Sequence, residues 1–137
     1  MTPFQVVSAV SAPAAADKAM LVRVTRRLER RALLDRPPAV AACLQDARFL
    51  TERTLEVYRG LAPARLYARG LHTALAQGVT GVPLDEDDPL VDEWTMVLPC
   101  PGGPVVFAAT DLGAERWTWS QSEDPDVVAE CGRLLGL

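Results

Sequence analysis

Residues 94–121 read WTMVLPCPGGPVVFAATDLGAERWTWSQ, three apolar runs separated by CPGGP and by GAE. The two links are far shorter than the dozen or more residues a parallel crossover takes. Residues 94–99, 105–112 and 116–121 therefore predict an antiparallel meander. Gly102 and Gly103 are expected to supply the positive φ of a tight turn. Trp117 and Trp119, two residues apart, fall on one face of the third strand.

Just upstream, LDEDDPLVDEW (84–94) carries six carboxylates between Asp85 and Glu93. An EF-hand loop beginning at Asp85 would place Pro89, Leu90 and Met96 at positions 5, 6 and 12, where a ligand, a glycine and a bidentate glutamate belong. The pattern fails, and no metal ion is expected. Asp88-Pro89-Leu90 instead has turn chemistry, with Asp bonding its own backbone and Pro setting φ. Leu90 can then tuck under the sheet while Glu93 opens the strand and Trp94 anchors it.

Working outward, Asp124 followed by Pro125 reads as the start of a C-terminal helix through Val128, Cys131 and Leu135. Leu21, Val24, Thr25, Leu28 and Ala32 form the apolar stripe of a helix that starts after an Asp17 N-cap and stops at Pro37-Pro38. Arg23, Arg26, Arg27, Arg30 and Arg31 occupy its opposite arc. AVAACL (39–44) reads as a buried strand, residues 47–61 as a second helix, ARLYARGL (64–71) as a half-exposed strand, and 72–93 as a long loop. Residues 1–17 read as a flexible tail ahead of one domain over 18–137. The expected fold is α+β, a mostly antiparallel sheet of about five strands packed by three helices.

The totals limit the function classes. With 137 residues and 49% hydrophobic composition, the chain is long and apolar enough for one cored domain. It lacks an apolar run of membrane-spanning length. Cys43, Cys100 and Cys131 are widely spaced and odd in number, which suits a reducing, cytoplasmic setting. His72 is the single histidine. A Walker A loop, GxSxG and GxGxxG are all absent, so no catalytic residue is expected and no cofactor is named.

The net charge of −4 conceals a split. Residues 18–69 hold twelve basic and five acidic side chains, while 70–137 hold two and twelve. Arg23, Arg26, Arg27 and Arg30 with Asp85, Glu86 and Asp87 are thus candidate partner-binding residues, within one subunit or between copies in a homodimer. The arginine-rich helix has few groups for reading bases, and a nucleic-acid partner is not expected. Tyr67, Trp94, Phe107, Trp117 and Trp119 are either core or the lining of a cavity for a flat ligand.

Asp17-Lys18-Ala19-Met20-Leu21, Glu29, Gln45, Phe49, Thr51-x-Arg53 and Tyr58 resemble the DICT domain. Gly81-Val82, Asp88-Pro89-Leu90 with Glu93-Trp94, Ala108-Ala109-x-Asp111, the strand around Trp117 and the helix start from Asp124 to Val128 extend the likeness over residues 18–137. The family takes its name from diguanylate cyclases and two-component proteins. The resemblance implies a non-catalytic sensory module of bacterial signal transduction that binds a small ligand or signalling partner, with a proposed link to light responses. Here Leu44 stands where an aromatic often precedes the glutamine, and CPGGP differs from the family's turn. The alternative is a ligand-free interaction or dimerisation protein that pairs the basic first helix with the acidic C-terminal half.

Overall fold

Alternation along residues 94–121 becomes three antiparallel strands: β6 (Glu93–Leu98), β7 (Val105–Gly113) and β8 (Arg116–Ser122), with Met96 opposite Phe107 and Ala109 opposite Trp119. They are three of the eight strands of a larger sheet in the computed structural model, which describes residues Met1–Leu137. The other strands are β1 (Ala14–Ala16), β2 (Val40–Asp46), β3 (Ala64–Arg69), β4 (Ala74–Ala76) and β5 (Val79–Pro83). Their order across the sheet is β1-β8-β7-β6-β2-β3-β5-β4.

The single-domain α+β class stands, but the sheet has eight strands and is mixed, not five and mostly antiparallel. The β2–β3 and β3–β5 pairs are parallel. The segment expected to be a long loop supplies two of the extra strands. β5 is built from VTGVP, and its Gly81 admits the carbonyl oxygen of His72 to 2.0 Å from where a Cβ would stand. A strand that needs such close backbone approach carries glycine where periodicity would look for an apolar residue.

Four helices cover the sheet: α1 (Pro3–Ser8), α2 (Lys18–Asp35), α3 (Glu52–Gly60) and α4 (Pro125–Leu134). Asp17 caps α2 by accepting the Met20 N–H at 2.8 Å, and the helix ends at Arg36, whose φ of 53° precedes Pro37. Asp124 caps α4 by accepting the Asp126 N–H at 2.9 Å. The expected helix over 47–61 splits into a 3-10 turn (Ala47–Phe49) and α3, because Thr51 caps the latter by accepting the Thr54 N–H at 3.2 Å. A second 3-10 turn, Pro89–Asp92, starts where Asp88 accepts the Leu90 N–H at 2.9 Å.

Residues 1–17, expected as a tail, are instead α1 and β1. Thr2 and Gln5 form a capping box, Val7 is fully buried, and β1 pairs with β8. The Ser120 hydroxyl donates to the Ser11 carbonyl at 2.7 Å and holds the segment between them. A six-residue helix is too short to show a period, which is why the sequence reads there as featureless.

The sheet separates two apolar clusters. On one face Leu21, Leu28, Tyr58, Leu66, Met96 and Phe107 pack with α2 and α3; on the other Val7, Cys43, Tyr67, Val106, Val128 and Leu135 pack with α1 and α4. β3, expected to be half-exposed, is therefore covered on both sides: Leu66 and Tyr67 are both buried. No helix is long and apolar enough to cross a membrane.

Candidate functional site

Stripe residues of α2 continue past its apolar positions into Lys18, Val22, Thr25, Arg26 and Glu29, which form one wall of a cavity of about 200 Å³. Facing them are Phe49, Thr51, Arg53, Thr54 and Tyr58 from the segment leading through α3. The floor is the sheet: Leu44 and Gln45 of β2, Trp94 and Met96 of β6, and Trp117 of β8. α2 and α3 close tightly at their other ends, where a Cβ on Gly60 would lie 2.8 Å from Leu33 Cδ2. The gap opens toward Lys18 and Thr51.

Gln45 reaches this cavity through a backbone irregularity. Val40, Ala42 and Leu44 point to the α2–α3 face, so strict alternation would send Gln45 to the opposite one. A register slip between Cys43 and Gln45 against β3, with φ of 68° at Gln45, reverses this. A left-handed glutamine beside a cavity is a strained feature of the sort that collects at binding sites.

Trp94 meets Phe107 and Trp117 edge-on, with ring centroids 5.8 Å apart in each case, and Phe107 lies 5.9 Å from Trp119. Four of the five aromatic residues considered for a ligand thus share one face, but only Trp94 and Trp117 line the cavity. Phe107 is fully buried beneath them. Tyr67 lies on the opposite face, where its hydroxyl donates to the Leu135 carbonyl at 2.6 Å. The aromatic set is a core first, with a cavity at its margin.

Charge is concentrated at the cavity. Glu29 is buried, and Arg53 Nη1 lies 3.5 Å from its Oε1. Burial pushes the Glu29 carboxyl above its usual range, although the Arg53 and Arg26 guanidinium groups pull it down. Lys18 and Arg48 lie over the Phe49 ring, 4.7 and 4.9 Å from its centroid. Three cations (Lys18, Arg26, Arg53) therefore line the cavity against one carboxylate. A shallower groove of about 520 Å³ adjoins it and shares Lys18, Gln45, Phe49 and Trp117.

The partner-binding candidates are placed elsewhere. Arg23, Arg27 and Arg30 are exposed on the outer side of α2, and none of them forms an ion pair. Arg26 has moved from that set into the cavity wall. Asp85, Glu86 and Asp87 are exposed, and Glu86 pairs with Arg69 at 3.3 Å. The acidic run does not converge into a cluster able to hold a metal ion. Asp88 is a turn cap and Glu93 is buried on the α1 face, accepting the Phe4 N–H at 3.1 Å.

Cys43, Cys100 and Cys131 are buried free thiols, and burial raises all three, Cys131 to about 12. Thiols held protonated in this way are poor nucleophiles. His72 is exposed.

No protein-family model and no curated protein matches this chain. What the sequence reading missed is the cavity's polar lining at Lys18, Glu29, Gln45, Thr51, Arg53 and Tyr58, with the Phe49 ring beside it. These seven residues, with Trp94 and Trp117, are among those that carry the DICT likeness, and all nine line this one cavity.

Proposed function

We propose that the chain is a non-catalytic sensory module of the DICT type, which binds a small ligand between α2, α3 and the sheet and relays occupancy by protein contact. The observation that carries this reading is convergence. Nine residues drawn from α2, β2, the α3 segment, β6 and β8 meet around one cavity, and they are among the residues that carry the DICT resemblance, others of which lie away from it. Packing alone would not gather a buried carboxylate, a half-exposed arginine and a left-handed glutamine at one place.

Relay would work by population shift, since a ligand moves an equilibrium only by its unequal affinity for the two states. A ligand touching α2 through Lys18, Arg26 and Glu29 favours one packing of that helix against α3. The outer face of the same helix carries Arg23, Arg27 and Arg30, the surface a signalling protein would read. Native mass spectrometry of the purified protein, read beside tryptophan emission, tests the proposal. A bound small molecule whose removal changes Trp94 and Trp117 emission is the expected result. A protein that is ligand-free and whose emission answers to no compound in a broad metabolite set would overturn it.

The second reading, an interaction or dimerisation protein, is favoured by one observation: Arg23, Arg27 and Arg30 have no acidic partner within the subunit. If those arginines meet Asp85 and Asp87 of another copy, dimerisation should weaken steeply with salt, because exposed pairs are screened over about 8–10 Å at 0.10–0.15 M. A dimer insensitive to salt counts against it.

A further inference from the structure

Resting on the ligand-binding reading above, the geometry points to a small planar aromatic anion, a single ring bearing a carboxylate, as the class of ligand the α2–α3 cavity takes. Three observations converge on it.

Size comes first. An engineered apolar cavity of about 150 Å³ holds one benzene, so about 200 Å³ leaves room for one ring and a substituent. A larger molecule would have to extend into the adjoining groove, so one ring and its substituent are the part of a ligand that this space itself recognises. Shape follows from the aromatic walls. Trp94 and Trp117 stand edge to face at 5.8 Å, and Phe49 borders the same space, so a flat guest has rings to pack against.

Charge decides the sign. Lys18, Arg26 and Arg53 line the cavity against Glu29 alone. Arg53 is about half exposed, 48% at its side chain, and reaches Glu29 through one nitrogen at the long distance of 3.5 Å. The rest of its planar fork can therefore grip a carboxylate by two parallel hydrogen bonds. Glu29 acts as a positioning residue that holds the guanidinium toward the cavity. A cationic guest would meet three like charges against the single carboxylate of Glu29, and a neutral one would gain no charge-assisted bond.

The test uses the full chain and four probes of matched shape: benzoate, benzamide, benzylamine and cyclohexanecarboxylate. Binding is followed by saturation-transfer NMR and calorimetry at low salt. Benzoate is expected to bind roughly tenfold or more tightly than benzamide, since charge-assisted bonds are about twice as strong as neutral ones, and more tightly than cyclohexanecarboxylate. Arg53→Met should lower benzoate affinity by a similar factor and leave benzamide unchanged. Arg53→Lys, which keeps the charge and loses the fork, should fall between. Unchanged melting of both variants guards against misfolding.

If benzamide or benzylamine binds as tightly as benzoate, the anionic class is wrong while the ligand-binding reading stands. Benzoate binding that is indifferent to Arg53→Met also overturns the inference. Silence from all four probes and from a wider fragment set would overturn both.

Discussion

Arg31 Nη2 donates a 2.7 Å hydrogen bond to the carbonyl oxygen of Gly103, tying the last turns of α2 to the turn between β6 and β7. Four residues on, Asp35 accepts the Gly102 N–H at 2.9 Å. The two glycines, expected to provide positive φ, serve a different need. Gly102 is not among the positive-φ residues, and Gly103 at 159° borders on extended backbone. A Cβ at Gly103 would stand 2.2 Å from Arg31 Nη2, and one at Gly102 would stand 2.9 Å from both Asp35 carboxylate oxygens. Gly103→Ala should therefore displace Arg31 and lower stability by about 1 kcal/mol, the usual net worth of one hydrogen bond. Arg31→Met should do the same, and urea unfolding of the double variant should show no further loss. Additive losses would show that the two residues are not coupled.

The two buried glutamates predict a pH dependence. Burial raises both Glu29 and Glu93, so the folded state favours their protonated forms. That stabilisation is complete below the unfolded glutamate value of about 4.3, and it is lost as pH rises through the raised native values. Glu93, with no basic side chain bonded to it, should show this most cleanly. The stability of Glu93→Gln relative to the native chain should climb between pH 4 and 7, followed by urea midpoints at each pH. A fall over that range would contradict the burial argument.

Tyr67 separates the two faces. Its hydroxyl bonds the buried Leu135 carbonyl, so Tyr67→Phe leaves that acceptor unpaired and should lower stability by roughly 1–3 kcal/mol. Since Tyr67 lies across the sheet from the cavity, the variant should bind any aromatic probe with native affinity. Weakened probe binding without a change in melting would reverse that assignment.

The N-terminal segment gives the sharpest contrast with a tail. Deleting residues 2–16 removes Val7, which is fully buried, breaks the β1–β8 pairing and takes the Phe4 N–H from Glu93. Burying one such side chain is worth about 1.5–3 kcal/mol, so the deletion should lower the melting temperature sharply. Val7→Ala alone should lose only a part of this, because the strand pairing and the Phe4–Glu93 bond remain. Unaltered melting of the truncated chain would mean that the segment is not packed on the sheet.

What the sequence determined by itself is whatever depends on neighbours along the chain. Asp17, Asp88 and Asp124 cap the turns and helices that follow them because an Asx oxygen reaches an amide two or three residues away. Leu21, Thr25, Leu28 and Ala32 form the buried stripe of α2 because helical period alone places them together. Trp94, Phe107, Trp117 and Trp119 share a face because short links impose antiparallel register.

The tertiary structure decided the rest. Residues 3–8 and 74–83 form ordered elements only because a sheet edge or a buried face receives them; six residues or a Gly-Thr strand carry too little periodicity to announce themselves. β2 and β3 run parallel because α3 crosses between them, and both faces of β3 are then covered. Glu29, Arg53 and Gln45 face one cavity although they come from two helices and a bulged strand. Their meeting depends on packing across the chain, on a single slip of register and on the absent side chain of Gly60, none of which leaves a local pattern.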